Sequence, residues 1–217
     1  LHDALPIWNI KQQDIPEGRR CVKCKWVFDI KWNGKFRPRL VACGYSQVPG
    51  LDFQHSYSPT INDISWRILL LKMMENKYDT RIVDIETAFL HGELEEDIYM
   101  DAPQGLELKN DECVKLNKSI YGLVQAARQY YKFFVNGLKK IGFYGGKVDP
   151  CLMKRKTNKG IVYIAIWVDD SLMVGDKEAI NETIEEMKNL GLTLKVEGKL
   201  DDYLSCNIRM NSEMTKT

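Results

Sequence analysis

The chain has 217 residues, of which 44% are hydrophobic and 28% charged, and a formal net charge of +1. A chain of this size and composition builds one good globular core with room for an attached lobe. It contains no apolar run of the roughly 18 residues that a membrane helix needs, and residues 1–7 have neither the basic nor the long apolar region of a signal peptide, so no membrane partner is expected.

The chain starts with Leu rather than Met and reads as a fragment of something longer. Its cysteines (Cys21, Cys24, Cys43, Cys113, Cys151, Cys206) are scattered, which suits free thiols in a reducing compartment. Cys21 and Cys24 form a lone CxxC without a second pair or a histidine at ligand spacing, a weak zinc signal. His2, His55 and His91 build no evident site. The net charge argues neither for nor against a polyanionic partner, but its distribution is uneven. Residues 19–39 carry Arg19, Arg20, Lys23, Lys25, Lys31, Lys35, Arg37 and Arg39 against Asp29, whereas residues 93–112 are acidic with only Lys109 opposing. One face meeting phosphate fits that pattern, and so does a solvated charged hairpin.

In chain order, residues 1–18 read as irregular, with Trp8 the only large anchor. From Cys24 to Ile30 the residues alternate, Trp26, Phe28 and Ile30 on one side and Lys25, Val27 and Asp29 on the other. Asn33-Gly34 is a strong hairpin-turn signal, and 36–43 is the returning strand. Arg37 and Arg39 are two apart and share a face, so the ribbon either holds a triphosphate or carries arginines that keep an edge soluble. Residues 44–60 read as loop. Asn62 or Asp63 caps a helix to about Asn76, with Ile64, Ile68, Leu71 and Met74 or Glu75 along its length. Residues 80–84 form a short strand ending in Asp84, after which the chain turns away. Residues 94–100 are extended, 103–112 an acidic loop, and 113–116 a strand. A helix rich in aromatic residues runs over 126–141 and stops at Gly142. Strands at 148–154 and 161–174, an amphipathic helix at 177–190 (Ile180, Ile184, Met187) and strands at 192–196 and 203–210 follow. The irregular alternation with several hairpins predicts an α+β fold with an antiparallel sheet.

Within 160–175 two apolar runs flank Asp169 and Asp170, which places two carboxylates on the turn of a buried hairpin. Taken alone, a polar turn and a metal site both remain open. Asp84 ends a second strand, and two strands delivering carboxylates to a common point is how a two-metal phosphoryl-transfer site is built.

Six blocks in order make the chain recognisable. They are KWVFDIKWNGKFRPRLVACGYSQVPGLDF, SYSPT before a helix, VDIETAFLHGELEEDIYMDAPQG, LNKSIYGLVQAARQYY, IWVDDSLMVG and DYLSCNI. Over residues 8–210 the chain resembles the reverse transcriptase domain of copia-type long-terminal-repeat retrotransposons, a portion of a Pol polyprotein. The resemblance implies right-hand polymerase fingers and palm: β-hairpin fingers, and an antiparallel palm sheet with packed helices. The expected division is an irregular segment 1–18, a fingers-like region 19–79, a palm with some fingers elements over 80–210 (motifs at 84–92, 119–129 and 167–170) and a truncated tail 211–217.

The roles the resemblance implies are as follows. Asp84, Asp169 and Asp170 are the catalytic metal carboxylates, and the main-chain carbonyl of Ile85 is a further ligand. The metals are two Mg2+, with Mn2+ as a substitute. Phe89 excludes a ribose 2′-hydroxyl, although simple core packing is the alternative for that ring. Tyr121 and Gly122 border the incoming nucleotide, Arg37 and Arg39 contact its triphosphate, and Gln125, Arg128 and Trp167 meet nucleic acid. Lys195 or Lys199 protonates the leaving pyrophosphate. The partners are a primed RNA or DNA template, deoxynucleoside triphosphates, and RNase H and integrase regions of the parent polyprotein. The location is cytoplasmic, in a virus-like particle of the parent element. The chain departs from the family at Trp167, where Tyr is usual, at Cys43, where a basic residue is common, at Val124 and Ala127, which replace Lys and Pro, and at Pro38 between the two arginines. A catalytically silent remnant that at most binds nucleic acid is the second reading. A palm-like nuclease or cyclase is the third, weakened by the YGLVQA loop and the hairpin.

Overall fold

The near-continuous apolar runs within 161–174 build the centre of one sheet, and shorter, less apolar strands build another. The computed structural model describes residues 7–30, 34–109, 111–197 and 200, and the backbone of residues 202, 203, 206 and 207. In chain order the elements are strands β1 (Ile7–Lys11), β2 (Cys21–Val22), β3 (Cys24–Ile30) and β4 (Phe36–Ala42), then helix α1 (Asp63–Asn76). Strands β5 (Asp79–Ile85), β6 (Glu93–Met100) and β7 (Glu112–Lys118) precede helix α2 (Ala126–Lys140). Strands β8 (Tyr144–Gly145), β9 (Leu152–Thr157), β10 (Gly160–Trp167) and β11 (Asp170–Gly175) lead to helix α3 (Lys177–Asn189). Strands β12 (Leu194–Glu197), β13 (Asp202–Tyr203) and β14 (Cys206–Asn207) follow. The α+β expectation holds. Among the described residues no helix is long and apolar enough to cross a membrane.

The chain divides into two compact units, Leu1–Ser58 with Thr87–Phe133, and Pro59–Glu86 with Phe134–Thr217. The first unit holds a four-stranded sheet in the order β1-β7-β6-β2, antiparallel except for the β2–β6 pair, and the separate β3–β4 hairpin. Its core is built on Ile7, Val22, Leu40, Ile98, Met100, Val114, Leu116 and Leu123. The segment expected to be irregular therefore contributes a strand. Only Ile7 of β1 is buried, so β1 lacks the alternation by which a strand is read from sequence, and pairing with β7 defines it instead.

In the second unit a six-stranded sheet runs β12-β5-β11-β10-β9-β8, with every pair antiparallel. Helix α3 packs against β10, β11 and β5, and α1 reaches β11. Five of the six residues of β11, Ser171 to Gly175, are buried, which accounts for its unbroken apolar run. Arg155 on β9 clamps α3 through a two-pronged ion pair with Glu186, its Nη2 donating to Oε1 at 2.9 Å. Asp149 is buried and accepts hydrogen bonds from the Asn62 and Cys151 amides, both at 2.9 Å, which ties the start of α1 to the segment before β9.

Helix α1 begins as expected: the Asn62 side chain accepts from the Ile64 amide at 2.9 Å. Its buried stripe, however, is Trp66, Leu69 and Met73, while the expected stripe of Ile64, Ile68, Leu71 and Met74 is exposed. The helix is apolar on both sides, so periodicity could not choose between them. In α3 the expected Ile180, Ile184 and Met187 are all buried. Of the closing strand expected over 203–210, residues 203, 206 and 207 are described, and they belong to two short antiparallel strands, β13 and β14, rather than to one. His2, Lys31, Asn33, Lys199 and the tail 211–217 lie outside the described residues.

Candidate functional site

In the second unit the β10–β11 hairpin closes with a two-residue loop, Val168-Asp169, since Trp167 pairs directly with Asp170. Val168 takes a left-handed backbone conformation, φ 51°. Glycine or asparagine is normal there, and a β-branched residue is strained. Thr87, in the other unit and just beyond the first aspartate, shares this property at φ 54°. Residues held in such conformations concentrate at functional sites. Both of these belong to aspartate motifs identified in the sequence.

Strand register brings several predicted residues together. Asp170 on β11 pairs directly with Asp84 on β5, and Asp84 pairs on its other side with Lys195 on β12. Lys195, Asp84, Asp170 and Trp167 therefore form one row across four neighbouring strands, and their side chains share a face. Asp169 lies in the loop at the end of this row. Directly opposed residues on paired strands are about 4.5–5.5 Å apart at Cα, so Asp84 and Asp170 bring two like charges together, with the Lys195 ammonium in register on the other side of Asp84. These carboxylates could share a hard divalent cation such as Mg2+, which takes few protein ligands and fills the rest of its shell with phosphate and water oxygens. Among the described residues no three His, Cys, Asp or Glu side chains form a ready-made metal cage. Ile85 follows in β5, paired with Leu194, and its side chain is buried.

In the first unit, the Phe89 ring meets Tyr121 edge-on, with centroids 4.7 Å apart, and Tyr130 at 6.1 Å. Two of the predicted nucleotide-binding residues are thus in contact, with Phe89 half-buried against the core. Gly122 lies against β4, where the Ala42 amide donates to the Tyr121 carbonyl at 2.8 Å. A methyl group on Gly122 would sit 2.1 Å from the Ala42 oxygen, and its φ is +88°. Packing against its own chain accounts for this glycine with no ligand present.

Gln125, expected to face nucleic acid, is fully buried. Its Nε2 donates to the Asp52 carbonyl at 2.9 Å, and its Oε1 accepts from Gln47 Nε2 at 3.0 Å. Gln47 Oε1 in turn accepts from the Val124 amide at 2.7 Å. The Gln47–Gln125 pair thus fastens the 44–58 loop to the start of α2, a role that sequence reading missed because nothing local marks a buried amide pair. Gln125→Leu should leave the Gln47 amide and the Asp52 carbonyl unsatisfied and destabilise the unit by about 2–4 kcal/mol, seen as a lower urea midpoint. Arg128 is half-buried and donates through Nη1 to the Tyr57 carbonyl at 3.2 Å.

On the hairpin, Asp29 lies opposite Arg37, and Arg39 Nη1 is 3.6 Å from Asp29 Oδ2, so both arginines share a face with an acid between them. Burial pushes the Cys21 thiol up to about 12, helped by Cys113 and Asp101, and pushes Cys24 up to about 11, helped by Asp101 and Cys43.

The profile of the family described as "Reverse transcriptase (RNA-dependent DNA polymerase)" matches residues 7–217. The chain is 36% identical over 203 residues to "Retrovirus-related Pol polyprotein from transposon TNT 1-94" of Nicotiana tabacum, covering 87% of this chain and 15% of that protein. It is 38% identical over 175 residues to the corresponding polyprotein from transposon RE1 of Arabidopsis thaliana, covering 76% of this chain and 12% of that protein. For transposon RE2 of the same plant the identity is 34% over 180 residues, or 79% of this chain and 12% of that protein. The chain thus spans less than a sixth of the length of these relatives. The ordered motifs, the paired aspartates and these matches agree, and the chain belongs to the reverse transcriptase (RNA-dependent DNA polymerase) family, as the domain found in copia-type retrotransposon Pol polyproteins.

Proposed function

We propose that this chain supplies fingers and palm elements of an RNA-directed DNA polymerase that extends a primer 3′-hydroxyl with deoxynucleoside triphosphates on an RNA or DNA template. The observation that carries this reading is the direct pairing of Asp84 with Asp170, beside a hairpin loop that holds Asp169 behind a strained Val168. In this reading Asp84, Asp169, Asp170 and the Ile85 carbonyl hold two Mg2+, or Mn2+ in their place. The bound ions supply Lewis-acid activation of the 3′-hydroxyl and neutralise charge on the departing pyrophosphate.

The other roles belong to the chain itself. Lys195 stands in register beside Asp84 and is the better supported of the two candidate proton donors to pyrophosphate, Lys199 being the other. Trp167 flanks Asp170 and offers an aromatic surface to the primer end. Arg37 and Arg39 bind the triphosphate as guanidinium donors, and Asp29 holds Arg39 ready in the absence of ligand. Phe89 and Tyr121 form an edge-on pair whose exposed part contacts the nucleotide sugar, and Phe89 excludes a 2′-hydroxyl. Template, primer, and the RNase H and integrase regions of a parent polyprotein are the partners, within a cytoplasmic virus-like particle.

The test is primer extension by the purified chain on a primed RNA template with Mg2+. Template-directed incorporation supports the reading. Nucleic-acid binding without incorporation assigns the chain to a silent remnant. Phe89→Ala is expected to raise ribonucleotide incorporation relative to deoxynucleotide by about tenfold or more, measured as the ratio of kcat/KM values, because a rejected hydroxyl regains space. Unchanged discrimination would return Phe89 to a purely structural role.

A further inference from the structure

Helix α1 carries apolar residues on both sides. Trp66, Leu69 and Met73 are buried, and on the opposite side Ile64 is 68% exposed, Ile68 48%, Leu71 56% and Met74 44%. Ile64, Ile68 and Leu71 follow at steps of four and three residues, so they form one stripe along the outer face. Glu75 continues the stripe one step of four further on, with Arg67 on one flank and Lys72 on the other. A helix that is apolar all round is normally enclosed, and an aliphatic stripe of this length left in water marks a contact surface.

The chemistry of the stripe selects its occupant. It offers no aromatic ring, and its cations Arg67 and Lys72 are matched by Asp63 and Glu75, with Arg67 Nε 3.0 Å from Asp63 Oδ2. Nucleic acid needs surplus cations and stacking rings, and a membrane surface needs a strongly basic polar face, so neither fits. The stripe does fit itself. Its spacing is that of the inward positions of a helix pair. With a second α1 laid antiparallel on the first, Ile68 of each copy stands level with Leu71 of the other. Glu75 then stands level with Ile64 of the other copy, within reach of Arg67 one turn further along. Lys72 falls on the far flank beside Ser65, so like charges do not face one another. Apolar meets apolar and acid meets base under the operation that exchanges the copies, which is the requirement of a two-fold interface.

We infer that the outer face of α1 is a self-association surface, on which two copies of the chain pair antiparallel through Ile64, Ile68 and Leu71 while Arg67 of each copy holds Glu75 of the other. The inference goes beyond the polymerase reading and does not depend on it, since none of the motif-derived roles uses this face. A contact one helix pair wide lies at the low end of interface sizes, about 1,200 Å² or less, so the dimer is reversible and concentration-dependent.

The test is sedimentation velocity of the full chain over about 1–100 μM, without nucleic acid or divalent metal. A reversible monomer–dimer equilibrium is expected. Ile68→Gln/Leu71→Gln is expected to weaken the dimer at least about tenfold, because its central apolar contacts are lost. Both positions are exposed in the single chain and glutamine suits a helix, so circular dichroism spectra and melting curves should match the parent and exclude unfolding. Arg67→Glu and Glu75→Arg should each weaken the dimer, since each sets like charges against one another across the pair. Mixing these two chains should restore it, because each supplies the charge that the other lacks. That recovery ties the contact to two separate copies and to the antiparallel arrangement. A chain that stays monomeric over this range overturns the proposal, as does a dimer that the glutamine variant leaves unchanged. Loss in both charge variants without recovery on mixing overturns the antiparallel pairing. A monomeric parent whose oligonucleotide binding, read by fluorescence anisotropy, falls in the glutamine variant overturns it in favour of nucleic acid. Association is read without catalysis, so a chain that dimerises but fails primer extension, or the reverse, separates this inference from the polymerase reading.

Discussion

Asp169→Asn is expected to lower template-directed incorporation on the order of 10³-fold or more, the scale reached when a group that stabilises developing charge is removed. The fold should survive, because Asp169 is a half-exposed residue in a hairpin loop and Asn tolerates turn geometry at least as well. Asp84→Asn should cause a similar loss. A second measurement separates lost metal binding from lost chemistry. Mg2+ with primer–template and nucleotide should stabilise the parent chain: at a hundredfold excess over Kd the linkage is worth about 2.7 kcal/mol, or roughly 5–10 °C in Tm for a chain of this length. The Asp169→Asn chain should show little of that rise, since removing even an outer partner of a ligand typically costs 10–100-fold in metal affinity. Incorporation that persists unaltered would remove Asp169 from the metal site.

The second large effect is on stability. Gly122→Ala is expected to destabilise the first unit by about 2–5 kcal/mol, combining a left-handed backbone with an overpacked contact. The new methyl would lie 2.1 Å from the Ala42 oxygen and 2.4 Å from Val41 Cγ1, and the backbone holds φ at +88°. Gly44 is constrained from the other side, its virtual Cβ falling 2.5 Å from the Gly122 oxygen. The two glycines therefore let the 119–124 loop lie directly on β4 and the turn after it. A melting transition lowered by about 5–15 °C is the expected reading. A transition within a degree of the parent would mean that the loop can lift away from β4, and that Gly122 is needed for something other than packing.

Much of the fold was legible because its signals are local. Asn62 as a cap, the alternation in 24–30, the Ile180–Ile184–Met187 stripe and the apolar runs around Asp169 each record a preference a few residues wide. The failures share one cause, which is that the deciding partner lies far away in sequence. β1 is a strand because β7 is there to pair with it. Helix α1 is apolar on both sides, and only its neighbours choose Trp66, Leu69 and Met73 as the buried stripe. Gln125 looked like a residue available to a ligand on a helix beside a nucleotide loop, yet it is buried, and its amide bonds to Gln47 and Asp52, more than seventy positions away.

The acidic site divides in the same way. By itself the sequence determined which residues carry chemistry: two adjacent aspartates between apolar runs, a third aspartate ending another strand, and a motif order specific enough to name a family. That information is carried by residue type and spacing, and it needs no coordinates. The tertiary structure alone decided the register. Pairing of β5 with β11 and β12 puts Asp84 between Asp170 and Lys195 and sets Trp167 at the end of the row. A shift of one residue would send every one of these side chains to the opposite face, because successive residues of a strand point in opposite directions. Hydrogen bonding between strands distant in sequence fixes that choice, and burial on both faces of β11 holds it in place.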